Sequence, residues 1–123
     1  MPWQFQQSTG QMTDPDGNLI ETGYSGNGEG LCNPDMQFVH GVGPIPQGTY
    51  TIGPPKDPID ILGPIAMPLT PDPSNDMEGR NSFFIHGDNA ACNHTASDGC
   101  IIMSHDTRVT IDESDDKTLI VIA

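Results

Sequence analysis

Apolar and polar positions alternate in short stretches separated by turn residues, and almost every stretch reads as a strand. Trp3-Gln4-Phe5-Gln6 alternates strictly, Ser8-Thr9-Gly10 turns, and Gln11-Met12-Thr13 resumes, which predicts a first hairpin. Asp14-Pro15-Asp16-Gly17-Asn18 is a turn ahead of a strand at Leu19-Ile20-Glu21-Thr22. Residues 25–35 are glycine-rich and have no period, so they read as a loop, and Thr49–Ile52 is the next strand, closed by Gly53-Pro54-Pro55. The proline-rich stretch 54–79 has its best strand at Ile65-Ala66-Met67 and is otherwise a packed irregular connection or a flap over a cleft. Phe83–His86 is an apolar run without polar alternation, the signature of a central strand covered on both faces. Cys100-Ile101-Ile102-Met103 and Leu119-Ile120-Val121-Ile122 are further buried strands. Between them, Ser104–Ser114 reads either as a short helix capped by Ser104 with Asp106 in its first turn, or as a strand at Arg108–Ile111.

The 14 glycines and 12 prolines are spread along the chain, so they punctuate many short elements rather than mark a disordered tail. The expected class is mostly β. At 123 residues the chain fits a single domain over 1–123. A formal charge of −13 repels nucleic acid and anionic membranes, favours solubility and suits a basic partner. No stretch approaches the roughly 20 apolar residues of a membrane span, and no basic start followed by an apolar region marks a Sec signal peptide.

Candidate chemistry sits in Phe84-Ile85-His86-Gly87 and in Ser97-Asp98-Gly99-Cys100, the cysteine fourteen residues after the histidine. A thiol attacks a carbonyl only as thiolate, and a cysteine of ordinary pKa, about 8.5, needs a neighbouring base at neutral pH. An imidazole within hydrogen-bond reach can take the proton and return it to a leaving amine. Cys100 is therefore the candidate nucleophile and His86 its base. Gly99 lets the chain turn before the nucleophile, so that the Gly99 and Cys100 amides can point at a developing oxyanion. Ser97 is a candidate to hydrogen-bond the turn or the substrate.

These segments resemble the active site of L,D-transpeptidases. With Asp98 where many such enzymes carry a second histidine, the pattern is more similar to the type VI secretion L,D-transpeptidase effector family. Gly43-Pro44-Ile45-Pro46-Gln47-Gly48-Thr49-Tyr50-Thr51-Ile52 resembles the block that precedes that family's catalytic segments, and Tyr24-Ser25-Gly26 resembles its Tyr-Ser-Gly run. The resemblance implies a small β-sandwich or barrel with at most one or two short helices. It also implies attack on bacterial peptidoglycan stem peptides after the third-position diamino acid, with release or exchange of D-Ala. Delivery by a secretion machine to a target-cell periplasm and a neutralising immunity protein belong to the same implication. Many L,D-transpeptidases have a carboxylate-binding arginine two residues after the cysteine. Ile102 stands there, leaving Arg80 or Arg108 for that task, with Tyr24 and Asp88 as further candidate substrate contacts. The resemblance also implies that the Gly87 carbonyl holds the His86 tautomer, with the Asp88 side chain as the alternative.

Other readings compete. Cys32 and Cys92 are either a disulfide or two thiols. His40, His94 and His105 together with Cys92 are zinc-type ligands, but Cys92-x-His94 lacks the paired spacing of structural sites, so no metal and no cofactor is expected. A sortase-like transpeptidase shares the order histidine then cysteine, at much wider spacing. An acidic, non-catalytic wall-binding module would tolerate loss of Cys100.

Overall fold

The computed structural model describes residues 2–54, 66–77, 79–80, 83–87 and 99–123. They form nine strands: β1 Trp3–Gln6, β2 Gln11–Thr13, β3 Leu19–Thr22, β4 Tyr24–Ser25, β5 Gly48–Ile52, β6 Met67–Pro71, β7 Phe83–His86, β8 Ile101–Ile102 and β9 Thr118–Ile122. One helix, α1 at His105–Glu113, and two 3₁₀ turns, Gly28–Gly30 and Pro34–Met36, complete them. The mostly-β expectation holds; the first 3₁₀ turn falls in the 25–35 stretch read as a loop and the second runs one residue past its end.

All nine strands join one sheet in the order β3-β2-β1-β9-β5-β6-β7-β8-β4. Its edge strands, β3 and β4, are consecutive in the chain with only Gly23 between them. A sheet whose two edges are covalently joined through one residue has to roll up, which makes it a nearly closed, barrel-like sheet. Gly23 sits in that seam, where its N–H donates to the Gly10 carbonyl at 2.8 Å and a Cβ would lie 1.9 Å from the Ile102 carbonyl oxygen. Gly23→Ala is expected to destabilise the protein by about 3 kcal/mol, because backbone on both sides of the seam must move apart. Urea unfolding monitored by circular dichroism checks this; an unchanged midpoint would show that the seam yields.

The interior of the roll is built by alternation. Trp3 and Phe5, Tyr50 and Ile52, Met67 and Leu69, Phe83 and Ile85, and Leu119 and Val121 point inward from their strands and form one buried cluster with Met12, Ile101 and Ile111. Trp3 places its indole N–H on Ser114 Oγ at 3.2 Å, and the Tyr50 hydroxyl donates to the Pro46 carbonyl at 2.7 Å. Burial pushes the Tyr50 phenol well above its usual pKa, so it remains a donor. Both rings are core residues.

Two ambiguous segments are decided by packing. Residues 105–113 are helix, not strand: Ser104 Oγ accepts from Thr107 N–H, and Thr107, Arg108 and Ile111 turn inward on one face. The strand expected at Ile65-Ala66-Met67 instead runs Met67–Pro71, with a bridge at Ala66 and Ile65 outside the described residues. Register explains how two prolines fit. Pro68 faces Phe84 of β7 and Pro71 faces Tyr50 of β5, so only Leu69 is paired on both sides. The flap or connection expected across the rest of 54–79 falls largely outside the described residues. No helix among the described residues is long and apolar enough to cross a membrane.

Candidate active site

Strands β7 and β8 are parallel, with Ile85 opposite Ile101 and His86 opposite Ile102. Parallel neighbours need a crossover of a dozen or more residues, which accounts for the fourteen-residue spacing from His86 to Cys100. Phe83, Ile85 and Ile101 enter the core, so the intervening residues Phe84, His86, Cys100 and Ile102 share the opposite face of the sheet. Extending the register one step back sets Cys100 level with Phe84, whose N–H donates to Cys100 Sγ at 3.3 Å. Cys100 and His86 are thus diagonal neighbours on adjacent strands, with Cα atoms roughly 8 Å apart by strand geometry, a span their side chains can bridge.

His86 is 3% exposed, and its Nδ1 lies 2.9 Å from the Gly87 carbonyl oxygen. A carbonyl only accepts, so in the neutral ring this contact is made by the Nδ1–H tautomer, which leaves Nε2 as the basic nitrogen. Cys100 is half-buried, immediately before β8.

The approach to Cys100 is built around a glycine. Gly99 has φ of +127°, and a Cβ there would lie 2.4 Å from Arg80 Nη2 and 2.6 Å from the Phe83 ring. Arg80 is 6% exposed and donates to three backbone carbonyls: Gln37 at 2.5 Å and Pro44 at 2.8 Å through Nη1, and Gly43 at 3.1 Å through Nη2. Its guanidinium also lies over the Phe83 ring, 5.1 Å from the centroid. Ser25, fully buried in β4, donates from Oγ to the Gly99 carbonyl at 2.8 Å and accepts from Ile45 N–H at 2.8 Å.

Arg108, on α1, packs beside the histidine strand from another direction: a Cβ on Gly87 would lie 2.8 Å from its Nη2. It is 7% exposed and donates from Nε to the Ser104 carbonyl at 3.3 Å. Burial pulls its pKa below the usual arginine value, and the charge of Glu21 opposes that shift. Glu21 accepts from Ser104 N–H and Oγ at 3.0 Å and 2.9 Å, which ties β3 to the start of the helix. Tyr24 is buried in β4 opposite Ile102, on the strand beside the Cys100 segment.

Cys100 and His86 therefore share one face of the β7–β8 pair, with Gly99 and Arg80 at its start, Gly87 and Arg108 at its end and Tyr24 opposite Ile102, whereas Ser97 and Asp88 lie outside the described residues. So does Cys92, so the Cys32–Cys92 pairing is not described, and so does His94. Sequence reasoning missed Ser25. It stood inside the Tyr24-Ser25-Gly26 run, but nothing local marks a serine whose partner is 74 residues away. A cleft of about 600 Å³ lined by Trp3, Thr110, Glu113 and several aspartates includes neither Cys100 nor His86.

The family model described as the Tlde1 domain matches residues 20–118, from within β3 to the first residue of β9. No curated protein matches the chain.

Proposed function

Because the chain belongs to the Tlde1 domain family of type VI secretion L,D-transpeptidase effectors, which implies a secreted effector that modifies peptidoglycan, we propose that Cys100 is its nucleophile and His86 its general base. The observation that carries this reading is their placement on one face of adjacent parallel strands, with His86 Nδ1 on the Gly87 carbonyl and Nε2 therefore basic.

In this reading the stem peptide presents the carbonyl of its third residue, a diamino acid followed by D-Ala. His86 Nε2 takes the Cys100 proton as the sulfur attacks, and the tetrahedral oxyanion is met by the Gly99 and Cys100 N–H groups. The C–N bond then breaks, His86 returns the proton to the departing amine of D-Ala, and a thioester remains on Cys100. Water releases a tripeptide carboxylate, which is L,D-carboxypeptidase action. An amine, from a free D-amino acid or another stem, forms a new amide, which is exchange or cross-linking. Either route restores the thiol.

The carboxylate contact is assigned to Arg108, beside the histidine strand, since Arg80 directs its guanidinium at the Gln37, Gly43 and Pro44 carbonyls. Tyr24, Asp88 and Ser97 complete the proposed substrate contacts. Delivery to the target-cell periplasm would bring the enzyme to its substrate, and the −13 charge suits a basic immunity partner.

Mass spectrometry of a purified stem tetrapeptide incubated with the protein, with and without a free D-amino acid, tests the reaction. Loss of the terminal D-Ala, or its replacement by the added amino acid, is expected. Unchanged tetrapeptide from a folded, reduced sample would overturn the reading.

A further inference from the structure

We propose that Ser25 is a positioning residue for the oxyanion-binding amide of Cys100, one that sets the plane of the Gly99–Cys100 peptide; the inference rests on the reaction proposed above. Ile45 N–H can only donate, so Ser25 Oγ must accept there, and its single proton is left for the Gly99 carbonyl. Both contacts are 2.8 Å and buried, so the direction of each hydrogen bond is determined.

The Gly99 carbonyl and the Cys100 N–H belong to one planar trans peptide and point in opposite directions. Anchoring the carbonyl on Ser25 therefore directs the Cys100 N–H away from Ser25. Glycine at φ +127° has little steric preference of its own, so the orientation of this peptide has to come from its surroundings.

The anchor is itself held from several sides. The Ser25 carbonyl accepts from Cys32 N–H at 3.0 Å, and Ser25 pairs with Ile101 across the β4–β8 ladder. On the far side, the Ile45 carbonyl accepts from buried Gln7 Nε2 at 2.8 Å, while Arg80 grips the two preceding carbonyls. Ser25 is thus the bridge between a rigid base, Gly43–Ile45, and the residue before the nucleophile. A displacement of about 1 Å at a reacting group can cost on the order of 100-fold in rate.

The test compares wild type, Ser25→Ala and Ser25→Thr in three measurements: steady-state release of D-Ala from the tetrapeptide, the pH profile of iodoacetamide alkylation at Cys100, and circular dichroism. Ser25→Ala is expected to lose roughly 30-fold in kcat with KM within about twofold, because the oxyanion forms only in the transition state. Its alkylation rate and pH profile are expected to stay within about twofold of wild type, since alkylation creates no oxyanion. Ser25→Thr, which keeps the hydroxyl, is expected to recover most of the lost kcat. Alkylation falling in step with kcat would mean a merely structural role and overturn the inference, as would an undiminished kcat in folded Ser25→Ala. An active wild type beside an unimpaired Ser25→Ala overturns the inference alone; an inert wild type overturns the proposed reaction and the inference with it.

Discussion

Cys100→Ala is expected to remove turnover of the tetrapeptide, a fall of at least about 10⁴-fold in kcat, while leaving the fold in place. The side chain is half-buried, on the face of β7–β8 opposite the core cluster, and the contact it surrenders is the bond from Phe84 N–H to sulfur at 3.3 Å. Losing one such bond costs on the order of 1 kcal/mol, so the circular dichroism spectrum and the unfolding midpoint should change little. The loss of activity is then chemical, since no thiolate remains to form the acyl intermediate. A companion measurement on wild type separates the three thiols. Limited iodoacetamide treatment followed by peptide mass mapping should label Cys100 well before Cys32 or Cys92, because a base beside a thiol raises its thiolate fraction. Turnover retained in Cys100→Ala would eliminate the covalent route.

Arg80→Met is expected to cost about 3 kcal/mol of stability, the largest single effect we anticipate away from the seam between β3 and β4. Each hydrogen bond from a charged donor contributes roughly 1.5–3 kcal/mol, and methionine would leave the Gln37, Pro44 and Gly43 carbonyls without this donor. The sum is reduced because burying a guanidinium, 6% exposed here, itself carries a desolvation cost that the substitution relieves. Methionine keeps much of the packing on Phe83 but not the cation–π contact. Arg80→Lys tests whether charge alone suffices: an ammonium cannot fork across three carbonyls, so lysine should recover only part of the loss. Urea unfolding gives both values, and a change below about 1 kcal/mol for Arg80→Met would show that the Gln37–Pro44 segment is held by other contacts.

Much of the secondary structure was legible because its cause is local. Trp3–Gln6, Leu19–Thr22 and Thr118–Ile122 carry their strand pattern in their own alternation or apolar run, and Ser104 announces a helix start by side-chain chemistry that acts within four residues. The two segments that stayed ambiguous or shifted, 105–113 and 67–71, lie where local preference is weak. Packing of Ile111 into the core settled the first, and the staggered register of β6 between β5 and β7 settled the second.

The same division runs through the candidate site. Residue chemistry and order alone singled out Cys100 and His86 as a thiol with a possible base, and the resemblance of the surrounding blocks pointed to the family that the match over residues 20–118 establishes. Spacing along a chain carries no direction, however. That the thiol and the imidazole share one face follows from the parallel register of β7 and β8, which is a long-range pairing. The work of Ser25 and Arg80 depends on contacts between residues 20 to 74 positions apart, brought together when the sheet rolls until its edges meet at Gly23. Local sequence determines which residues can do chemistry and which form strands, because those preferences act over a few bonds. Only closure of the sheet decides which buried donors and acceptors face one another, because that depends on the sum of all the strand pairings.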